Sequence, residues 1–116
     1  PKGTEAEKAA RDEAMEAATL YATQVPLRTA ETSYEAFALL KAMAENGNPA
    51  SASDAGVGAL AARAAVRGAL LNVKINAASL KDREAADKLT SRGEELAAMA
   101  ADAESEILAI VENKIK

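Results

Sequence analysis

Two asparagines, Asn72 and Asn76, stand one helical turn apart in an otherwise apolar stretch, RGALLNVKINAASLKD, which covers residues 67–82. An amide side chain carries both hydrogen-bond donors and acceptors, but the pair specifies no reaction by itself. A buried amide without a partner costs about 1–3 kcal/mol. We therefore expect both asparagines to be hydrogen-bonded to another helix, to a second subunit or to a ligand.

A basic stripe on the same helix helps to orient the two asparagines. It consists of Arg63, Arg67, Lys74 and Lys81. At about 100° per residue these four side chains fall within an arc of about 60°, and Asn76 lies about 180° from Arg67. We expect the basic stripe to be the wettest side of the helix. The asparagines should lie opposite it, among the small residues Ala62, Ala65 and Ala69. Two interpretations remain open there: a structural hydrogen-bond network between helices and a small-molecule groove.

Asp54 is a third candidate residue. It stands three positions after Ser51, and this spacing is typical of a helix start. A carboxylate there is favoured by the helix macrodipole, and it also lies on the helix that carries the asparagines. Tyr21 and Tyr34 are predicted to fill the core and not to transfer protons.

Composition excludes several classes of function. The 116 residues allow one domain, and 14 basic against 18 acidic residues give a net charge of −4, which disfavours nucleic-acid binding. The sequence has no histidine and no cysteine, so we expect no metal site of the usual kind, no disulfide and no His-based catalysis. No apolar run approaches the roughly 18 residues of a membrane span, and no signal peptide opens the chain. These features predict a cytoplasmic protein without membrane contact.

The sequence predicts an all-α protein, because apolar residues recur at helical spacing and nowhere alternate with polar ones for long. Thr4 and Glu7 have the spacing of a capping box, which predicts the start of the first helix. Pro26 cannot donate a backbone hydrogen bond, so we expect the helix to kink or restart there. The next run should end in a turn over residues 46–49, NGNP, with a left-handed helix cap.

Two further helices are predicted in the rest of the chain, one that opens near Ser51 and a last one capped by Ser79 or Asp82. The first of these has two apolar stripes, which predict burial on more than one side. One stripe is Val66, Leu70, Val73, Ala77 and Leu80, and the other is Gly68, Leu71, Ile75 and Ala78. The chain is rich in alanine, which contributes little apolar area. We therefore expect residues 1–116 to form one bundle of long antiparallel helices that is completed by dimerisation.

Four segments carry a resemblance to a known family. They are PKGTEAEKAAR at residues 1–11, ATQVPLRTAE at 22–31, ENGNPASASDAGVGA at 45–59 and RGALLNVKINAASLKD at 67–82. In this order and with similar gaps, they resemble the second half of the cyclodeaminase domain of formiminotransferase-cyclodeaminase and the related bacterial methenyltetrahydrofolate cyclohydrolases. The resemblance covers essentially the whole chain. Its most specific parts are the VPL turn, the GN…SDAGV helix start and the NVKIN motif.

This resemblance implies an all-helical homodimer that acts on a tetrahydrofolate derivative without a metal. The implied reaction is either closure of 5-formiminotetrahydrofolate to 5,10-methenyltetrahydrofolate with loss of ammonia, or hydrolysis of the methenyl ring to 10-formyltetrahydrofolate. On the same resemblance, Asn72 and Asn76 would lie near the folate pocket, with Asp54 supporting it.

The chain also departs from the family pattern. The complete domain begins with a helical half that carries a glycine-rich PGGGS-type segment and an acidic stretch with the proposed catalytic aspartate. Neither has a counterpart between Pro1 and Lys116, so the resemblance assigns no catalytic residue. The alternative is a non-catalytic helical dimer or scaffold, in which Asn72 and Asn76 pair across the subunit interface and fix its register.

Overall fold

A computed structural model describes residues 3–116 and confirms the predicted all-α fold. Within these residues the chain forms three helices and no strand: α1 at Glu5–Asn46, α2 at Pro49–Ala77 and α3 at Arg83–Ile115. The short turns make α2 antiparallel to α1 and α3 antiparallel to α2. The bundle measures 70 × 20 × 16 Å, so the molecule is a long rod in which each helix contacts the other two.

Helix α1 begins with the predicted capping box. The backbone N–H of Glu7 donates to the Thr4 hydroxyl at 3.1 Å, and the Thr4 N–H donates to Glu7 Oε1 at 2.9 Å. The Thr4 N–H holds the pKa of Glu7 below its usual value. Two of the backbone donors that every helix start leaves open are thereby satisfied.

Pro26 does not end α1, and the predicted restart there is wrong. Proline removes the N–H that would bind the carbonyl four residues earlier, which belongs to Ala22. Asn76 of α2 replaces that donor, because its Nδ2 donates to the Ala22 carbonyl oxygen at 2.9 Å. A side chain from the neighbouring helix therefore makes the bond that proline cannot, and α1 continues for 42 residues.

The turn between α1 and α2 differs from its prediction in two ways. Gly47 has φ −81° and extended backbone, so the expected left-handed cap is absent at this residue. Helix α2 begins at Pro49, where proline's missing N–H costs no helical bond. Its cap is Asn48, whose side chain accepts from the Ser51 N–H at 2.9 Å. The predicted Ser51–Asp54 capping pair is therefore wrong, because Asn48 already fills that role.

The turn between α2 and α3 is held by a glutamate of α1. Asp82 caps α3 by accepting from the Ala85 N–H at 3.0 Å, as one of the two sequence alternatives predicted. The Glu16 carboxylate accepts from the backbone N–H of Lys81 at 2.9 Å and from that of Asp82 at 3.0 Å. These bonds, the one from Lys81 first, lower the pKa of Glu16. Since α1 extends beyond this turn, Glu16 links α1 to the junction of α2 and α3. We call the contact of Glu16 with Lys81 and Asp82 the Glu16 clamp.

The core is narrow, as the alanine content predicted. Its largest fully buried apolar side chains are Leu70, Leu96, Ile107, Val66 and Val73. Helices α2 and α3 approach closely at Gly93, where an added Cβ would stand 2.7 Å from Leu70 Cδ1. Tyr34 is partly buried as expected, and its ring centroid is 5.6 Å from that of Phe37. Tyr21 is 61% exposed and lies beneath the Arg28 guanidinium, so its predicted place in the core is wrong.

The basic stripe of α2 borders α3 and is not simply the wettest side of the helix. Arg63 Nη1 lies 2.8 Å from the carboxylate of Glu104, whose side chain is only 12% exposed. Lys74 Nζ lies 2.5 Å from Glu94. Long basic side chains thus reach from α2 to carboxylates of α3 along the edge of their contact.

The second predicted stripe of α2 is exposed in the single chain, so neither α1 nor α3 provides its predicted burial. Leu71 is 63% and Ile75 is 68% exposed. A matching exposed row on α1 keeps strict three-four spacing from Met15 to Met43. At about 100° per residue, the exposed row of α1 and the second stripe of α2 both lie on the side of their helix that does not face α3. We call the two rows together the outer face. It comprises Met15, Ala18, Ala22, Val25, Thr29, Thr32, Ala36, Leu39 and Met43 of α1 and Val57, Ala61, Ala64, Gly68, Leu71 and Ile75 of α2.

The Glu16 clamp predicts a specific dependence of stability on pH. Folding lowers the pKa of Glu16 below the ordinary value of 4.5, so the folded protein binds fewer protons there than the unfolded chain. The stabilisation that the Glu16 carboxylate gives to the folded state is therefore fully present above pH 4.5. It is lost as the pH falls through the lowered folded-state pKa. We expect Glu16→Gln to destabilise the protein at pH 7 and to approach wild-type stability near pH 3, in urea unfolding followed by circular dichroism.

Glu13→Gln is the matched control, because Glu13 is on the same exposed turn and makes no hydrogen bond to the α2–α3 turn within residues 3–116. Equal pH dependence in the two variants would contradict the clamp.

Candidate functional site

A groove between α1 and α2 brings the two asparagines together. Its volume is about 510 Å³, within the usual range for small-molecule sites. It is lined by Ala22, Val25, Pro26 and Thr29 of α1 and by Ala65, Gly68, Ala69, Asn72 and Asn76 of α2. The predicted small neighbours Ala65 and Ala69 are confirmed as lining residues. We refer to this feature as the groove.

Small residues of α2 create the space. A Cβ added at Gly68 would meet no atom within 4 Å, so the groove is open at that position. Glycine in a helix interior is about 1 kcal/mol less favourable than alanine. The sequence therefore has glycine, which lowers the stability of the helix, at a position where a larger side chain would fit but would narrow the groove.

The amide of Asn76 has a fixed orientation. Its Nδ2 donates to the Ala22 carbonyl oxygen across the groove, 2.9 Å away. A carbonyl oxygen only accepts hydrogen bonds, so the NH₂ group and not the oxygen must face it. Asn76 is half-buried, and its Oδ1 remains as an acceptor. The expected helix partner is confirmed for this residue.

Asn72 differs from Asn76 because it is exposed. Within residues 3–116 its side chain has no hydrogen-bond partner. The expected burial of Asn72 is not found in the single chain, and of its three predicted kinds of partner a second helix of the chain is not the one observed in the described part of the sequence. Both its donor and its acceptor are available to a ligand.

Asp54 is not part of the groove in the single chain. It is exposed in the second turn of α2. Asn72 follows 18 residues later on the same helix, so the two are separated by about 27 Å at 1.5 Å per residue. The structure therefore brings together two of the three predicted site residues and leaves the third near the α1–α2 turn.

The chemistry of the groove is that of binding and orientation. None of its lining residues is ionisable. Thr29 donates its hydroxyl to the Val25 carbonyl at 3.3 Å, which leaves the hydroxyl oxygen as an acceptor. The apolar walls and amides suit a flat ligand with polar edges. Proton transfer would require groups from outside the groove.

Two other cavities differ from the groove, because charged side chains line them and some of these are already paired. One of about 390 Å³ lies beside the Glu16 clamp, where both carboxylate oxygens accept backbone N–H groups. Another of about 450 Å³ lies between α1 and α3, where Lys41 and Glu106 are 2.5 Å apart. Glu106 raises the pKa of Lys41. Of the three cavities, the groove alone is lined by amides and by no ionisable residue.

The described part of the chain, residues 3–116, contains no group of three or more acidic residues placed to hold a metal ion. None of the helices in that part combines the length and apolar character needed to cross a bilayer.

Sequence reasoning missed Pro26 as a groove residue. The sequence predicts an interruption of the first helix at this residue, and the VPL segment that contains it carries part of the resemblance. A usable signal was present: a proline inside a helical pattern leaves one carbonyl without its donor, and a neighbouring helix with an amide opposite small residues can supply it.

Comparisons with known proteins agree with the resemblance in the motifs. A family profile described as formiminotransferase-cyclodeaminase matches residues 1–95, which include both walls of the groove. A methenyltetrahydrofolate cyclohydrolase of Methylorubrum extorquens is 40% identical over 115 residues, 99% of this chain and 55% of its own length. A formimidoyltransferase-cyclodeaminase of Dictyostelium discoideum is 32% identical over 114 residues, 98% of this chain and 20% of its own length.

The chain thus spans about half of the first relative and a fifth of the second. The family match covers most of the chain, and the resemblance predicted from the four segments is confirmed. The chain belongs to the formiminotransferase-cyclodeaminase family.

Proposed function

We propose that this chain is the folate-binding part of a one-carbon enzyme, with a tetrahydrofolate derivative held in the groove. The observation that carries the proposal is the position of Asn72 and Asn76: the amides of the NVKIN motif line one groove, on helices that the family match covers. The reaction served is either cyclisation of 5-formiminotetrahydrofolate with loss of ammonia or hydrolysis of 5,10-methenyltetrahydrofolate.

The shape and polarity of the groove support a pterin as the bound group. A pterin is flat and carries N–H donors and a carbonyl acceptor along one edge, and amides can bind both. Asn76 offers Oδ1 and Asn72 offers both amide atoms, while Val25, Pro26 and Ala69 supply apolar contact for the ring. We assign binding and orientation to the two asparagines, and no proton transfer.

The proposed enzyme is a homodimer that forms through the outer face. The outer face shares Ala22, Val25, Thr29 and Gly68 with the groove, so the groove would lie at the edge of the subunit interface. Strict three-four spacing of apolar and small residues is typical of helices that pair. On the outer face the large side chains Leu39, Val57, Leu71 and Ile75 are all more than 60% exposed. A second copy is the partner that the thin alanine-rich core favours, because burial of these side chains adds apolar area that the single chain lacks.

A symmetric dimer also gives Asp54 a role. In a two-fold interface, if residue i contacts residue j, then j contacts i. The α2 row from Val57 to Leu71 is centred on Ala64, a small residue that permits close approach. If two α2 helices cross antiparallel there, the partner subunit's Asp54 lies level with the turn that carries Asn72. We propose that this carboxylate completes the ligand site.

The first prediction concerns folate binding. Asn72→Leu keeps similar volume and removes the amide, so we expect affinity for 5-formyltetrahydrofolate to fall about tenfold, the upper range for one hydrogen bond. Isothermal titration calorimetry measures it. Asn113→Leu, on exposed α3 surface, is the matched control and should bind as wild type. Unchanged binding by folded Asn72→Leu would remove this residue from the site, and no binding by folded wild-type dimer would favour the scaffold alternative.

The second prediction concerns the dimer. Val57→Glu places a charge on the outer face and should convert the dimer to a monomer at micromolar concentration, because an unpaired charge in an apolar contact is strongly unfavourable. Sedimentation velocity measures the change. Ile115 is 53% exposed on α3, so Ile115→Glu is the control and should stay dimeric. A monomeric wild type, or equal behaviour of the two variants, would contradict this interface.

The third prediction concerns Asp54. Asp54→Asn should weaken folate binding several-fold in the dimer, and should have no effect in a Val57→Glu background in which the partner is absent. Calorimetric titration of the four proteins gives the comparison. An equal effect in both backgrounds would show that Asp54 does not act across the subunit interface.

A further inference from the structure

Pro26 and Asn76 are linked by one backbone atom, although they belong to different helices. Pro26 withdraws the N–H that the Ala22 carbonyl would otherwise accept. Asn76 Nδ2 donates to the Ala22 carbonyl oxygen instead, at 2.9 Å. All three residues line the groove.

We propose that Pro26 is a positioning residue that fixes the orientation of the Asn76 amide in the groove. Because Pro26 has no N–H, the Ala22 carbonyl is free to accept from the Asn76 NH₂ group. The other amide atom, Asn76 Oδ1, then accepts from an N–H group of the ligand. The ligand must therefore present a donor at this position. The identity of that ligand as a folate rests on the proposed function, whereas the effect of Pro26 on Asn76 does not.

The argument begins with the symmetry of an amide. The oxygen and nitrogen of an asparagine side chain are similar in size, so a half-turn of the group exchanges acceptor and donor with little steric change. Only its hydrogen-bond partners decide which orientation is populated. At Asn76 the neighbouring partner is a carbonyl, which accepts only, so the oxygen is directed away from it.

Pro26 makes the Ala22 carbonyl oxygen more available as an acceptor for Asn76. With an ordinary residue at position 26, the Ala22 carbonyl would accept an intrahelical N–H directed along the axis of α1. The pyrrolidine ring removes this bond and also crowds the same carbonyl, which turns it away from the regular ladder. The Ala22 oxygen then depends on Asn76 or water for a donor.

The consequence for specificity is a division of roles between the asparagines. Asn76 is held in one orientation and offers an acceptor. Asn72 is exposed and has no hydrogen-bond partner within residues 3–116, so it can turn to suit the ligand. A pterin satisfies this arrangement with its 2-amino group at Asn76.

The test of the positioning role needs no ligand. We would measure a double-mutant cycle of Pro26→Ala and Asn76→Ala by urea unfolding. Asn76→Ala should lower the folding equilibrium constant in both backgrounds, and the reduction should be at least about threefold larger when residue 26 is proline than when it is alanine. In ¹⁵N-labelled protein, the Asn76 side-chain NH₂ protons should exchange slowly in wild type and faster in Pro26→Ala. Pro49→Ala is the matched control, because proline at the first position of α2 frees no helical bond.

The ligand readout uses two probes, 5-formyltetrahydrofolate and the same compound with its 2-amino group replaced by methyl. We expect wild type and Pro49→Ala to prefer the amino form about fivefold, within the range of one hydrogen bond. The preference should fall below about twofold in Pro26→Ala, although that variant folds at least as stably.

Each outcome decides a separate statement. No coupling in the cycle, with equal exchange of the Asn76 amide in both backgrounds, overturns the positioning role whatever the ligand. Coupling with equal preference in wild type and Pro26→Ala overturns the specificity role. Coupling without binding of either probe supports the positioning role and overturns the proposed folate function.

Discussion

The hydrogen bond from Asn76 to the Ala22 carbonyl is the interaction on which the architecture depends most directly. Within residues 3–116 helix α1 is the longest helix, and it runs from beyond the Glu16 clamp to the α1–α2 turn. A proline in its interior would normally cost about 3 kcal/mol or more and end or kink a helix. Because α2 supplies the missing donor, α1 continues, and the two helices are fixed to each other beside the groove.

The thin core explains why such polar contacts matter here. Each buried CH₂ contributes about 0.8 kcal/mol, so an alanine-rich interface gains little per residue and must be made at short range. Gly93 allows that approach between α2 and α3. Side chains at the margins add the remaining ties, among them the Arg63–Glu104 pair and Lys114, whose Nζ donates to the carbonyls of Glu45 and Gly47 at 2.6 Å.

Local signals predicted much of the fold, and interactions between distant residues account for what was missed. The Thr4 and Asp82 caps and the side of α2 that carries the asparagines follow from residues within one or two turns. The donor that replaces the missing Pro26 N–H at the Ala22 carbonyl lies 54 positions from Ala22, and no local pattern reveals it. Leu71 is exposed in the single chain for a related reason: periodicity shows that a face is apolar, but not whether the same chain covers it. The candidate residues Asn72 and Asn76 stand out by their polar type in an apolar run, whereas no local pattern places Asp54 near them.

The strict three-four spacing of the α1 row has a geometric consequence. An α-helix has 3.6 residues per turn, so a seven-residue repeat drifts by about 20° per heptad on a straight helix. The row from Met15 to Met43 covers four heptads and therefore winds by about 80° around α1 in a left-handed sense. A flat surface would contact only part of this row. A partner that covers all of it must wrap around α1 with a left-handed supercoil, so its helix would lie at a small positive crossing angle and not parallel to the rod.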